Sequence, residues 1–118
     1  MTEIEELTSY ELNEIRERLL KRDEELSILS RSSYEAREAV TLDQSRVGRL
    51  SRMDALQMQA METAAEQRRQ LEQERIRRAL SLIDTQEYGE CVRCGEFVGR
   101  GRIAFDPSLI TCVQCAQE

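Results

Sequence analysis

Apolar residues Leu12, Ile15, Leu19, Leu26, Leu29 and Ala36 recur at spacings of three, four and seven, with Arg22 and Ser33 interrupting the row. That period is the signature of one helical face. Thr2-x-x-Glu5 reads as a capping box, and Glu3, Glu5 and Glu6 suit a helix N-terminus. Neither Gly nor Pro occurs from there to about Glu38, so a first long helix is expected. A looser stripe of Met58, Met61, Ala65, Leu71, Ile76, Leu80 and Ile83 marks a second helix from about Met53 to Glu87, with Gly89 as its C′ residue. The stripe reads as packing. Two capping boxes compete for the second helix's start, Thr41-x-x-Gln44 and Ser51-x-x-Asp54, with Gly48 between them. Starting at Ser51 makes the two arms match in length, which places a tip at about Thr41 to Arg52. The expected fold is mainly α, a long antiparallel two-helix coiled-coil hairpin over residues 1–88.

Composition supports long helices rather than a broad core: 40% of the 118 residues are hydrophobic, only 4% aromatic and 34% charged. The net charge of −6 sits mostly in residues 1–40, which hold 6 basic and 11 acidic side chains. A strongly acidic chain is a poor candidate for sequence-independent DNA binding, which needs clustered Lys and Arg to displace counterions, so a protein partner is the better expectation. The N-terminus lacks the basic and apolar regions of a signal peptide, and no apolar run reaches the roughly 20 residues of a membrane span. A cytoplasmic, monomeric protein is expected. There is no His, no nucleophile–base pair and no phosphate-cradling Gly loop, so no enzyme is expected.

Helix formers give way at Tyr88-Gly89 to Cys, Gly and the sole Pro, defining a second unit at 89–118. Cys91-Val-Arg-Cys94 and Cys112-Val-Gln-Cys115 stand 17 residues apart. Each two-residue spacer lets one tight turn deliver two thiolates, and four thiolates at about 2.3 Å complete a tetrahedral zinc shell. Cys91, Cys94, Cys112 and Cys115 are therefore read as ligands of one structural Zn²⁺ in a small zinc ribbon; two disulfides or free thiols are the alternatives. An all-sulfur shell is closed to a catalytic water. Gly95 follows the first pair where a positive φ is often needed. The segment 97–105 reads as a short hairpin, with Phe97, Val98, Ile103 and Phe105 on its apolar face.

A coiled coil followed by Tyr88-Gly89-x-Cys91-x-x-Cys94-Gly95-Glu96, then Arg102-Ile103-x-x-x-Pro107 and Cys112-x-x-Cys115, resembles the DksA/TraR C4 zinc-finger family of bacterial transcription factors. The resemblance covers nearly the whole chain. It implies direct binding of RNA polymerase, with the coiled-coil tip entering the secondary channel and altering promoter-complex stability, notably at ribosomal RNA promoters under stringent-response-like control. DksA-type tips carry Asp-x-x-Asp-x-Ala, a pattern absent here; Asp54-Ala55 is the nearest match, and Asp43 sits across the loop. Asp54 caps the second helix, alone or together with a partner contact. Asp43 is either a solvated turn residue or a contact.

Arg46, Arg49 and Arg52 form a basic stripe or cluster, which either touches acidic polymerase groups or phosphate, or is simply solvated. Leu50 and Met53 either pack on a channel wall or close the coiled coil. The family often acts with the alarmone ppGpp. This sequence stops three residues after Cys115 and offers only Arg93, Arg100 and Arg102 nearby, so ppGpp dependence is not expected, as in shorter TraR-like members. The competing function is a zinc-stabilised coiled-coil adaptor or scaffold, in which Leu26 or Met61 would matter and the tip would not.

Overall fold

The computed structural model describes residues 7–43 and 49–117, with side chains for 7–35 and 52–117. The element order is α1 (Ser9–Asp43), α2 (Arg49–Asp84), α3 (Arg100–Phe105) and α4 (Val113–Ala116). The two long helices have 35 and 36 residues, the matched arms that the capping argument required. They fall into two compact units, Met1–Asp23 with Glu72–Glu118, and Glu24–Leu71.

The helix ends differ from those read in the sequence. Thr2 lies outside the described residues, and the cap is Thr8. Its Oγ1 accepts from the Glu11 N–H at 3.1 Å, while the Glu11 carboxylate accepts from the Thr8 N–H at 2.8 Å. This reciprocal pair satisfies two N–H groups that the first turn leaves without helical partners, and Leu7 and Leu12 flank it as a staple pair. The first helix runs on past Glu38 to Asp43, and α2 begins at Arg49. Residues 41–43 and 49–52 of the expected tip are thus helical. Neither competing box starts α2: Ser51 lies inside it, so Asp54 is not a capping N3 residue.

The second helix stops at Asp84, before the expected Glu87. Gly89 is not its C′ residue; Gln86 is, at φ 65°. The Gln86 N–H donates to Ile83 O at 3.1 Å and the Glu87 N–H to Leu82 O at 2.8 Å, the paired bonds of a Schellman ending.

In the first unit the early part of α1 runs antiparallel to the late part of α2, as the ion pairs Arg16–Asp84 (2.7 Å) and Arg22–Glu72 (2.9 Å) record. Ile15, Leu19, Ile76, Ala79 and Ile83 are buried between them, with Leu12 and Leu80 half-buried. A fully buried Leu or Ile contributes about 1.5–3 kcal/mol, so this cluster is the main hold on the helices there. The second unit is also antiparallel, but its facing positions are polar. The Ser30 hydroxyl donates to Glu66 at 3.0 Å, the Ser33 hydroxyl donates to Glu62, and Arg69 pairs with Glu66 at 3.0 Å. Burial raises the Glu66 pKa, but bonds from Ser30, Arg69 and Gln70 outweigh it and hold the carboxyl below its ordinary range.

A heptad rhythm runs through both helices: 12, 19, 23, 26, 30 and 33 on α1, and 62, 66, 69, 73, 76, 80 and 83 on α2 are half-buried or buried, with Ile15 and Ala79 buried beside them. Counting apolar residues alone therefore misplaced part of the stripe. Leu29, Met58, Met61 and Leu71 are 47%, 57%, 71% and 58% exposed. Ser30, Ser33, Glu62, Glu66 and Arg69 take the facing places, and Ala79, which the stripe omitted, is fully buried.

Candidate metal centre

After α2 the chain makes one antiparallel bridge, Glu90 with Phe97. The Cys91 N–H donates to Glu96 O at 2.7 Å and the Val98 N–H to Gly89 O at 2.8 Å. Gly89 is required by its backbone: its φ is +103°, which side-chain-bearing residues rarely adopt, while the space beside it would hold a Cβ in ordinary contact with Phe97 and Leu7.

The bridge folds the first cysteine pair into a turn. The Gly95 N–H donates to Cys91 O at 2.9 Å, and the Arg93 N–H points at Cys91 Sγ at 3.4 Å. Gly95 itself has φ +82°, as expected from its place after the pair. The second pair uses a helix start: Cys112 is the N-cap of α4, and its Sγ accepts from the Cys115 N–H at 3.5 Å. Both turns thus aim a backbone N–H at a sulfur. They are tied by the Val92 N–H to Ile110 O at 3.0 Å and by Arg93 Nη1 to Cys115 O at 3.1 Å.

The segment between the pairs is not the expected hairpin. No strand occurs among the described residues, and 100–105 is helix α3, entered at Gly99 with φ 113°. The helical turn buries Ile103 beneath it and leaves Phe105 83% exposed, so the apolar face reduces to Val98 and Ile103 with a half-buried Phe97. Gly99 and Gly101 allow a tight helical entry where a two-stranded pairing would need extended, packed residues.

Arg102 Nε braces the second pair by donating to Thr111 O at 2.7 Å. Asp106 Oδ1 accepts from both the N–H and the hydroxyl of the buried Ser108, at 3.0 and 2.8 Å, closing the turn around Pro107. The Tyr88 hydroxyl donates to Pro107 O at 2.7 Å, which fastens the end of the α2 turn to this loop. Burial, then the charge of Asp106, pushes the Tyr88 pKa up and keeps it a donor.

All four sulfurs lie within 4.8 Å of one another, and Cys94 Sγ and Cys112 Sγ are 3.7 Å apart. A regular tetrahedron with metal–sulfur bonds of about 2.3 Å puts its corners about 3.8 Å apart, whereas a disulfide needs about 2.05 Å. The geometry fits one four-coordinate ion and does not fit two disulfides. Cys91 is buried, Cys112 and Cys115 are half-buried, and Cys94 is exposed.

The protonation pattern agrees with a cation site. Burial pushes the Cys91 thiol up, but the N–H groups of Cys112, Cys94 and Arg93 draw it down to about 6. The bond with Cys112, followed by burial, pushes Cys115 up to about 12. For Cys94 the Glu96 N–H pulls the pKa down, and burial with the neighbouring Cys112 and Cys91 thiols raises it overall. The Cys91 thiolate forms readily whereas Cys94 and Cys115 resist; a dication at their centre would stabilise the thiolate forms.

The other sequence-predicted residues lie at the far ends of the long helices. Asp43 is the last residue of α1 and Arg49 the first of α2, their side chains outside the described set; Arg46 is outside the described residues altogether. Arg52 and Asp54 are exposed on α2, whereas Ala55 is only 8% exposed. Ala55 therefore packs against the described interior. Missed by sequence reasoning were Arg102 and Tyr88 as braces of the cysteine turns; only an aromatic and an Arg flanking the cysteines hinted at them.

No family model matches the sequence, and no curated protein matches it. Among solved structures, that of the transcription factor DksA2 from Pseudomonas aeruginosa superposes with a TM-score of 0.76. The match covers 92% of this chain and 82% of that one at 18% identity. With the four-cysteine cluster it supports the resemblance to the DksA/TraR C4 zinc-finger family. The chain has the fold of the transcription factor DksA2.

Proposed function

We propose that the chain is a bacterial transcription regulator that binds RNA polymerase directly, placing the tip of its helical hairpin in the secondary channel to alter promoter-complex stability. The observation that carries this reading is the DksA2-like fold over 92% of the chain, combined with the four-sulfur cluster. Residues 1–88 act as the hairpin and 89–118 as the module that anchors its base, and the protein works as a cytoplasmic monomer. Among the described residues, no helix is long and apolar enough to cross a membrane.

Cys91, Cys94, Cys112 and Cys115 hold one Zn²⁺, which supplies folding free energy through a closed thiolate shell. At the tip, Asp43 and Asp54 accept hydrogen bonds from basic groups of the polymerase, and Arg46, Arg49 and Arg52 meet acidic groups or phosphate. Because Asp54 is exposed and does not cap α2, its carboxylate is available for such a contact. The reading does not require ppGpp.

The test is in vitro transcription from a ribosomal RNA promoter, comparing wild type with a folded Asp43→Ala/Asp54→Ala variant. Wild type shifts promoter output; the variant still binds polymerase but shifts it little. If neither protein binds polymerase, the reading fails. Its competitor, a zinc-stabilised adaptor, draws on the exposure of Met61 at 71%; Leu26, at 1%, is buried in the seam. A Met61→Ser variant that keeps transcription activity but loses a partner protein would favour the adaptor.

A further inference from the structure

The two units hold the same pair of helices together by different means. In the first, Leu12, Ile15, Leu19, Ile76, Leu80 and Ile83 face inward. In the second, the facing positions are Ser30, Ser33, Glu62, Glu66 and Arg69, and Leu26 and Ala55 are the buried apolar residues among the described side chains. The large apolar side chains of that unit are turned outward instead: Ile28, Leu29, Leu56, Met58 and Met61 are 47% to 71% exposed.

We propose that residues 24–35 and 52–71 form a built-in opening segment, whose two helical stretches separate and re-pair while the unit formed by 1–23 and 72–118 stays closed. Separation returns the Ser30 and Ser33 hydroxyls and the Glu62, Glu66 and Arg69 charges to water, which satisfies them about as well as they satisfy one another. Among the described residues only Leu26 and Ala55 are newly exposed from a buried state, because the other large apolar side chains already face solvent. The heptad spacing means that this polarity is not a fault in register; polar facing positions define register at a cost in stability. Local opening follows the density of buried apolar contacts, so the free energy of opening is lower for these described residues than for those of the first unit.

The experiment is hydrogen–deuterium exchange by mass spectrometry on the full, zinc-loaded chain at neutral pH. Amides in 26–33 and 62–69 exchange at least on the order of a hundredfold faster than those in 12–19 and 76–83, the lower bound expected from two or three fewer buried Leu or Ile side chains. Both stretches lie well inside α1 and α2, so fraying of helix ends does not account for the difference. The double variant Ser33→Leu/Glu62→Leu, replacing one facing pair with an apolar layer, slows exchange across 24–35 and 52–71 by tenfold or more and leaves the other unit unchanged. Sedimentation shows whether that variant remains monomeric. Equal protection of the two units in wild type overturns the proposal, as does a folded monomeric variant with no slowing. If the variant associates, the wild-type comparison decides alone.

Discussion

Leu19→Ala and Leu29→Ala remove the same atoms from the same helix and should differ several-fold in cost. Leu19 is 1% exposed, so truncation forfeits nearly its whole transfer free energy and leaves a cavity lined by the opposite helix. Leu→Ala at such a site costs about 3 kcal/mol, within a range of roughly 2–5. Leu29 is 47% exposed, so about half its burial is lost and no closed cavity forms. The remaining cost of about 1 kcal/mol is partly offset because Ala is the better helix former. For a chain of this size 1 kcal/mol moves Tm by about 3–5 °C. Leu19→Ala should therefore lower Tm by about 10–15 °C and Leu29→Ala by less than about 4 °C. Thermal melts followed by circular dichroism at 222 nm measure both, and urea titration gives the same order in midpoint. A Leu29→Ala loss equal to that of Leu19→Ala would refute the heptad assignment and restore the simple apolar-count seam.

Cys112→Ser removes one sulfur while leaving a hydroxyl able to cap α4; zinc content, measured by metal analysis after dialysis, should fall from one per chain to well below half, with loss of structure in 89–117. Tyr88→Phe leaves Pro107 O without its donor and should cost about 1 kcal/mol in urea denaturation, without changing zinc content. Thr8→Ala should cost about 1 kcal/mol by loss of the cap, read in the same assay. The Glu11 carboxyl is held below its ordinary range, first by the Thr8 N–H and then, against burial, by Arg100. Its contribution is present above the unfolded carboxylate range and is lost as pH falls through the lowered folded pKa. Stability measured from neutral to acidic pH should decline less steeply in Glu11→Gln; an unchanged slope would remove Glu11 from the account.

Much of this was legible in the sequence because its signals are local. Two Cys-x-x-Cys pairs encode their own turns, and the matched arm lengths followed from where helix breakers fall. The rest depended on pairing. Whether Leu29 or Ser30 faces inward is set by the opposite helix, since a three-residue and a four-residue step are equally helical. The cap at Thr8 repeats the S/T-x-x-E pattern six residues after Thr2, and pattern alone does not rank two copies. The hairpin expected at 97–105 became α3 because Gly99 and Gly101 admit helix entry as readily as a turn. Ala55 matched a tip motif by composition, yet it lies in the packed interior.

Arg18 Nη1 donates to Ala104 O at 3.0 Å and Arg100 pairs with Glu11, across sequence separations of 86 and 89 residues. During synthesis the first helix emerges well before the residues that clasp it, which follow it by 86 and 89 positions. Contacts that close so long a loop form late and slowly, whereas each helix can form from its own neighbours within microseconds. The newborn α1 therefore waits, capped by its own Thr8 but unclasped, until the cysteine module has been made. A ribosome stalled before Arg100 should release a chain whose base is still open to proteases, and metal supply would then govern how soon a finished chain leaves that vulnerable stage.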